Sequence, residues 1–153
     1  MPPATVSILR RMPVAIAIQR RVIRPSGLGR AIQEACGAVW EELRAQGIRG
    51  GRNVALYLDH LVTLEAGFEL AEPFSERSGI TRSATPDGLV AVVVHFGPYS
   101  TLGVAHDLVH TWARTSGYRL LGPRWETYGH WQPDWNADPT KIETEVAYLV
   151  EQA

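Results

Sequence analysis

The feature that most constrains this sequence is an order of elements that occurs twice. In each half, a segment typical of a strand is followed by a break containing Gly and Pro, an amphipathic segment and two further strand-like segments. Leu28-Gly29-x-Ala31 opens the first amphipathic segment, and Leu102-Gly103-x-Ala105 opens the second. Alternating apolar residues predict strands, and apolar residues at i, i+3 and i+4 predict helices. The chain therefore predicts two strand–helix–strand–strand repeats, at about residues 5–75 and 88–152.

The boundaries of the predicted elements follow from this periodicity and from the turn formers around it. In the first half we predict strands at 13–20, 53–59 and 67–74, and a helix from Gly29 to Gln46 with Ser26 as its cap. In the second half we predict strands at 89–96, 124–130 and 142–150, and a helix from Leu102 to Thr115. The stretch 75–87 is polar and rich in turn formers, which predicts a connection.

The repeat also predicts how the halves assemble. One repeat by itself would leave a helix and half a sheet with an unfinished apolar face. Two repeats joined edge to edge would form one antiparallel sheet that carries two long helices on one face, an α+β fold. We therefore expect a single domain over residues 1–153, with a ligand groove between the two helices.

Composition narrows the class of protein. The chain has 153 residues, 45% of them hydrophobic, and a net charge of -1, so it can form a core but lacks the basic excess of a nucleic-acid-binding protein. Direct nucleic-acid binding is not expected. Cys36 is the only cysteine, which excludes an intrachain disulfide and a cysteine metal cluster. It lies on the apolar stripe of the first helix and is predicted to be a small buried residue.

The sequence also bears on location. No segment approaches the roughly 18 consecutive apolar residues of a membrane span. Arg10 and Arg11 interrupt the apolar core that a signal peptide would need. We therefore expect a cytoplasmic protein without a membrane partner.

The stretch GPRWETYGHW, residues 122–131, places one acid among aromatic residues in a predicted strand. Residues two apart share a face, so Glu126 and Tyr128 lie on one side and Trp125 on the other. Either this polar face meets solvent at an edge strand, or it faces the groove. In the groove, a desolvated carboxylate among aromatic rings would favour a lipophilic cation, or would donate or accept a proton in catalysis.

Other polar candidates have simpler interpretations. Glu143 and Glu145 alternate on the last predicted strand, which favours a solvated strand face. His106 and His110 are four residues apart, a spacing that can bind a metal. Because both lie at the polar margin of the helix and a third ligand is lacking nearby, we predict solvent-exposed histidines and no metal site.

Three further aromatic residues are candidates for the walls of the groove. Trp40 lies at the edge of the first helix's apolar stripe, and Tyr57 occupies a position on its strand similar to that of Tyr128. Trp112 lies within the second helix's stripe, which favours core packing. We retain Trp112 and Glu145 as additional candidate ligand contacts.

The second half carries a family resemblance. Its motifs are Gly97-Pro98-Tyr99, the helix from Leu102, Gly117-Tyr118, Gly122-Pro123, and Glu126 with Tyr128. In these motifs and in the repeat, the chain resembles the GyrI-like small-molecule-binding domains, which also serve as effector-binding domains of AraC- and MerR-type bacterial regulators. The match extends from about residue 88 to the end and is loose before it; Leu149 replaces the usual Pro of the last strand.

The resemblance implies a groove between two repeats, with Glu126 as the acid deep in a pocket for cationic, aromatic drugs. The chain begins almost directly with the first predicted strand, so we expect no helix-turn-helix module. We also expect no cofactor. Histidine is a common axial ligand of haem, but His95, His106 and His110 offer no clear axial position for it.

Three function classes follow. The first is a binding protein for a lipophilic, aromatic, cationic small molecule. The second is a hydrolase that opens cyclopropane rings of DNA-alkylating natural products, with Glu126 as the catalytic residue that activates water or protonates the leaving group. The third is an inhibitor that binds a protein partner of the gyrase type. A homodimer is compatible with each class.

Overall fold

The computed structural model describes residues 4–59 and 63–153. Within these residues, eight strands and three helices follow one another along the chain. Their bounds are β1 Ser7–Arg11, β2 Ala15–Val22, α1 Leu28–Ala45, β3 Asn53–Tyr57, β4 Thr63–Glu69, β5 Thr81–Ala84, β6 Gly88–Phe96, α2 Gly103–Ser116, β7 Tyr118–Tyr128, α3 Asp134–Ala137 and β8 Glu143–Gln152. None of the helices in this part of the chain is long and apolar enough to cross a membrane.

All eight strands form one antiparallel sheet in the order β1-β6-β8-β7-β3-β4-β2-β5. The predicted antiparallel sheet is therefore confirmed. The order reads the same from either end when β1 is exchanged with β5, β2 with β6, β3 with β7 and β4 with β8. At the centre of the sheet, β3 pairs with β7, and this pairing joins the two halves of the chain.

Two strands have no counterpart among the predicted ones, and β4 and β7 begin four and six residues before the predicted strands 67–74 and 124–130. β1 precedes the first predicted strand and pairs with β6, in the other half of the chain. β5 lies within the stretch 75–87, which was predicted as a connection, and pairs with β2. Both strands are short and mostly exposed, so they lack the alternating burial that would reveal a strand in the sequence. Hydrogen bonds to a neighbouring strand stabilise them instead.

The two long helices form where the periodicity predicts them. In α1 the buried residues Ala31, Ala35, Val39 and Leu43 recur every four positions, which produces one apolar face. The prediction that Ser26 caps this helix is wrong, because the cap position is Gly27 and no side chain bonds there. The helix α2 buries Ala105 and Val109, and it ends at Gly117, whose φ of 80° is left-handed and favours glycine.

Both long helices pack on the same side of the sheet. Ala55 of β3 lies under α1, and Val146 of β8 lies under α2. Glu126 of β7 pairs directly with both residues. Since directly paired residues point to the same face of a sheet, Glu126 lies between the two helix-covered regions.

The opposite side of the sheet carries a separate core, which contains no helix residue. Its members come from β2, β3, β6, β7 and β8, and they are Ile16, Ile18, Val54, Leu56, Val90, Val92, Trp125 and Ala147. Trp125 is 2% exposed there, whereas the neighbouring Glu126 points to the helix side. The strand β7 is thus enclosed on both faces over this segment, which explains why its polar residues are not solvated.

Candidate binding site

A cavity of about 1060 Å³ lies on the helix side of the sheet, over its central strands. Cavities of this size can enclose most of a drug-sized molecule. The wall from α1 includes Leu28, Ile32, Cys36 and Trp40, and that from α2 includes His106, Asp107 and His110. The strands contribute Asn53, Tyr57, Phe68, Arg124, Glu126, Tyr128 and Tyr148, and Tyr99 and Leu102 precede α2.

Glu126 is the most buried charged group of this cavity, with 6% of its surface exposed. It reaches the cavity because side chains alternate along β7, so that Arg124, Glu126 and Tyr128 face the helices. A carboxylate removed from water in this way needs hydrogen-bond donors.

The protein supplies one donor to each oxygen of Glu126. The Tyr128 hydroxyl donates to Oε1 at 2.6 Å. The His106 Nε2 lies 2.6 Å from Oε2, and it donates to the ionised carboxylate, which can only accept. Such charge-assisted hydrogen bonds are shorter and stronger than neutral ones. The carboxylate is therefore satisfied without a ligand.

The hydrogen bonds continue beyond His106 toward solvent. Its Nδ1 lies 2.6 Å from the hydroxyl oxygen of Tyr148, and that oxygen lies 3.4 Å from Nε2 of His110. Because His110 is exposed, a connected set of polar groups runs from the buried Glu126 to the protein surface. We call Glu126, His106, Tyr128, Tyr148 and His110 the polar network.

The network corrects the prediction of two solvent-exposed histidines. His110 is exposed, but the His106 side chain is only 20% exposed and contacts Glu126. A residue at the polar margin of a helix usually meets water. Here the margin of α2 borders a concave surface, and so His106 points into the cavity.

The phenols in the cavity are held in their protonated form. Burial, followed by the charge of Glu126, raises the pKa of Tyr128 well above its ordinary value. The same two causes raise the pKa of Tyr57. Burial raises the pKa of Tyr148 to about 12. These side chains remain neutral donors at physiological pH.

One cation also borders the cavity. The guanidinium of Arg124 lies over the Tyr57 ring, with 4.7 Å between Cζ and the ring centroid. Among the described residues, no carboxylate lies within salt-bridge distance of Arg124. The face of the Tyr57 ring therefore stabilises a guanidinium that has no ion-pair partner among these residues.

The remaining predicted site residues divide into two groups. Trp40 and Tyr57 line the cavity with Glu126 and Tyr128, and Trp40 is 49% exposed. Trp112 does not line it; its ring stacks on Tyr118 at a centroid distance of 5.4 Å. Glu145 faces the other side of the sheet, where it pairs with Arg11.

Sequence reasoning missed the parts played by His106, Tyr148, Tyr99 and Arg124. A signal existed for Tyr148, which alternates with the apolar Val146 and Val150 and so lies on the buried face of β8. No comparable signal existed for the contact of His106 with Glu126, because it depends on how α2 is rotated above β7.

Cys36 is half-buried and lines the cavity, where its thiol lies 3.8 Å from the carbonyl oxygen of Gly67. Burial raises its pKa to about 11. Among residues 4–59 and 63–153, no group of three or more His, Cys, Asp or Glu side chains is arranged to hold a metal ion.

A continuous antiparallel sheet, two helices on one side and an aromatic cavity with a buried acid are features of an α+β small-molecule-binding domain. The family comparison identifies it further. The chain belongs to the GyrI-like small molecule binding domain family, whose model matches residues 5–149. The comparison with curated proteins found no match.

Solved structures share this fold. The EcmrR C-terminal domain superposes with a TM-score of 0.75 at 21% identity, covering 99% of this chain and 98% of that domain. The EcmrR chain in an EcmrR–DNA complex superposes with a TM-score of 0.74 at 20% identity. The match covers 98% of this chain, which spans 58% of the length of that EcmrR chain.

Two further neighbours carry descriptions of ligand or activity. SAV2435 bound to tetraphenylphosphonium has a TM-score of 0.67 at 10% identity, with 95% of this chain and 93% of that chain covered. A hydrolase encoded by lin2189 from Listeria innocua has a TM-score of 0.61 at 14% identity, with coverage of 96% and 92%. At these identities the likeness concerns the fold alone.

Proposed function

We propose that this chain binds a lipophilic, aromatic small molecule, preferably a cation, in the cavity that contains Glu126. The observation that carries the proposal is the position of Glu126, an acid that is 6% exposed within a cavity of about 1060 Å³ lined by aromatic side chains. Burial of the ligand's apolar surface would provide most of the affinity, and the carboxylate would select for charge.

The aromatic walls support this proposal. Tyr128 and Trp40 offer ring surface that attracts an organic cation and covers its apolar surface, and Tyr57 lines the cavity beside them with its ring under Arg124. Trp112 and Glu145 are not included, since neither lines the cavity. The tetraphenylphosphonium bound to SAV2435 is such a cation, and it therefore makes a suitable probe.

We also propose that the fold is a pair of structural repeats and that the cavity is the groove at their junction. The strand order, which is unchanged when equivalent strands of the two halves are exchanged, supports the repeat. The cavity lining, drawn from α1, α2 and the central strands, supports the groove. The continuous sheet is consistent with a single domain.

The test is calorimetric titration of tetraphenylphosphonium and of the neutral triphenylphosphine oxide into the protein and Glu126→Gln. The substitution removes the charge but preserves the shape of the side chain. We expect the cation to bind about tenfold or more weaker to the variant, or roughly 1.4 kcal/mol per factor of ten, and the neutral compound to bind equally to both.

Glu143→Gln is the matched control, because Glu143 is an exposed acid of β8. It should bind both compounds as the unchanged protein does. Equal loss of cation binding in the two variants would contradict a role for Glu126, and failure of both compounds to bind would contradict the cavity as a binding site for such molecules.

One observation favours a hydrolase as the second candidate. His106 contacts both Glu126 and Tyr148 at the cavity wall. A carboxylate, an imidazole and a hydroxyl are thus joined by hydrogen bonds. Such groups can position water and transfer protons. Incubation with cyclopropane-containing DNA-alkylating natural products, followed by mass spectrometry, separates the candidates: a ring-opened product supports the hydrolase, and unchanged compound supports the binding protein.

A further inference from the structure

The cavity contains a histidine in direct contact with Glu126. His106 reaches the carboxylate from α2, at 2.6 Å between Nε2 and Oε2, and its other nitrogen contacts the Tyr148 hydroxyl at the same distance. The imidazole can keep both hydrogen bonds in either protonation state. When neutral it donates through Nε2 and accepts at Nδ1 from the phenol, and when protonated it donates through both nitrogens.

The protonation state nevertheless changes the charge of the pair. A neutral His106 leaves Glu126 without a cation in direct contact, and a protonated His106 cancels its negative charge. Arg124 adds a positive charge to the cavity wall in both cases, and the described residues place no carboxylate within salt-bridge distance of it. A protonated His106 therefore makes the wall near Glu126 unfavourable for a cation and more favourable for an anion.

The other titratable groups around the cavity do not produce this change. They are Cys36 on α1, Tyr57 on β3, Tyr99 before α2, Asp107 and His110 on α2, Arg124, Glu126 and Tyr128 on β7, and Tyr148 on β8. Burial raises the pKa values of the four tyrosines and of Cys36, so they stay neutral near pH 7. His110 is the other histidine of the lining, and its hydrogen bond is to Tyr148.

We propose that His106 is a specificity-determining residue that competes with a cationic ligand for Glu126, so that a cation binds when His106 loses its proton and an aromatic anion binds when His106 holds it. The inference rests on the proposed function, since it concerns the charge of the ligand in the same cavity. It identifies two chemical classes of ligand, a cation and an aromatic anion, and the protonation of His106 decides which of them binds.

The sign and size of the effect follow from linkage. Because the cation binds the form that has lost a proton, its affinity rises with pH through the histidine titration and is constant above it. The cation should therefore bind more tightly at about pH 8 than at about pH 5.5, by at most about tenfold per pH unit, which is the limit for the loss of one proton. An anion of the same shape should change in the opposite direction.

Tetraphenylphosphonium and tetraphenylborate are suited to the test, because they share a shape, have opposite charges and do not titrate in this range. Their dissociation constants are measured at about pH 5.5 and about pH 8, with triphenylphosphine oxide as the neutral reference. His106→Gln retains an amide donor toward Glu126 but cannot titrate. We expect it to remove the opposed pH dependences of the two ions, and to bind the cation at low pH as the unchanged protein does at high pH.

Two other variants locate the effect. His110→Gln should keep the pH dependence, whatever its affinity, because His110 does not contact Glu126. His95→Gln should behave as the unchanged protein, since His95 contacts Thr101 and does not line the cavity. In addition, calorimetry of the unchanged protein at about pH 6 in buffers of different ionisation enthalpy should detect proton release when the cation binds, a measurement that needs no variant.

The outcomes separate this inference from the proposed function. If the cation binds with the same affinity at both pH values, or if His106→Gln retains the full pH dependence, His106 does not select ligand charge, although the cavity still binds. Absence of proton release would also overturn the inference. If neither ion nor the neutral compound binds at any pH, the proposed function itself is wrong, and the inference is wrong with it.

Discussion

Gly67 offers a quantitative test of how β2 and β4 are packed against each other. It lies on β4, where it pairs with Ile18 of β2 and Val54 of β3. A Cβ atom at this position would lie 1.8 Å from the carbonyl oxygen of Ala17. Since a C–H group approaches a carbonyl oxygen at roughly 3.3 Å, the backbones of β2 and β4 would have to separate by more than about 1 Å.

The cost of Gly67→Ala can be estimated from these contacts. The strand β2 is held on its other side by β5, so it cannot move without disturbing hydrogen bonds on both sides. Loss of about two ladder hydrogen bonds at about 1 kcal/mol each, with overpacking strain of about 1–3 kcal/mol, predicts a loss of about 3–5 kcal/mol in the free energy of unfolding. This is a large part of the roughly 5–15 kcal/mol of a typical domain.

Urea denaturation provides the assay, with the unfolding free energy and its slope fitted for each variant. Gly37→Ala is the matched control, because it makes the same chemical change inside α1, where an added Cβ meets nothing within 4 Å. It should raise the unfolding free energy by about 0.5–1 kcal/mol, as alanine is the better helix former. If the two variants change stability by the same amount and sign, the close approach of β2 and β4 at Gly67 is wrong.

Two further predictions concern the cavity wall. Because burial raises the pKa of the Cys36 thiol from 9.0 to about 11, the folded state favours the protonated thiol. The resulting stabilisation is complete below about pH 9 and lost as the pH rises to about 11, so thermal unfolding of Cys36→Ser should depend less on pH across that interval; an identical dependence would contradict the burial of the thiol. Trp40→Phe should weaken binding of tetraphenylphosphonium about threefold to tenfold by titration, since Trp40 lines the cavity. Trp112→Phe should lower the melting temperature by a few degrees but leave binding unchanged, because Trp112 packs on Tyr118 outside the cavity; the reverse pattern would show that the walls are assigned incorrectly.

Much of the fold was predictable, because its signals are local. Apolar residues at helical spacing identified α1 and α2 to within one or two residues at each end, and Gly117 marked the end of α2. Alternation along 124–130 correctly separated the face of Trp125 from that of Glu126 and Tyr128. These properties depend on the period of one element, and a single sequence contains that period in full.

The strand pairing was less accessible. The first half's last predicted strand, 67–74, corresponds to β4 at Thr63–Glu69, and the short strands β1 and β5 were not predicted. Their residues follow no clear alternation, and the neighbours that stabilise them are distant in sequence. Pairing of this kind is decided by which strand edges remain open after the rest of the sheet has formed.

By itself, the sequence determined the kinds of element, their duplicated order and the presence of one acid among aromatic residues. Only the tertiary structure decided what that acid contacts. Glu126 and His106 are 20 residues apart in the chain and lie on different elements. They meet because of the position of α2 above β7 and the rotation of α2 about its own axis. Periodicity specifies the face on which a residue lies, whereas a contact between two faces depends on packing distances that the pattern of one chain segment does not contain.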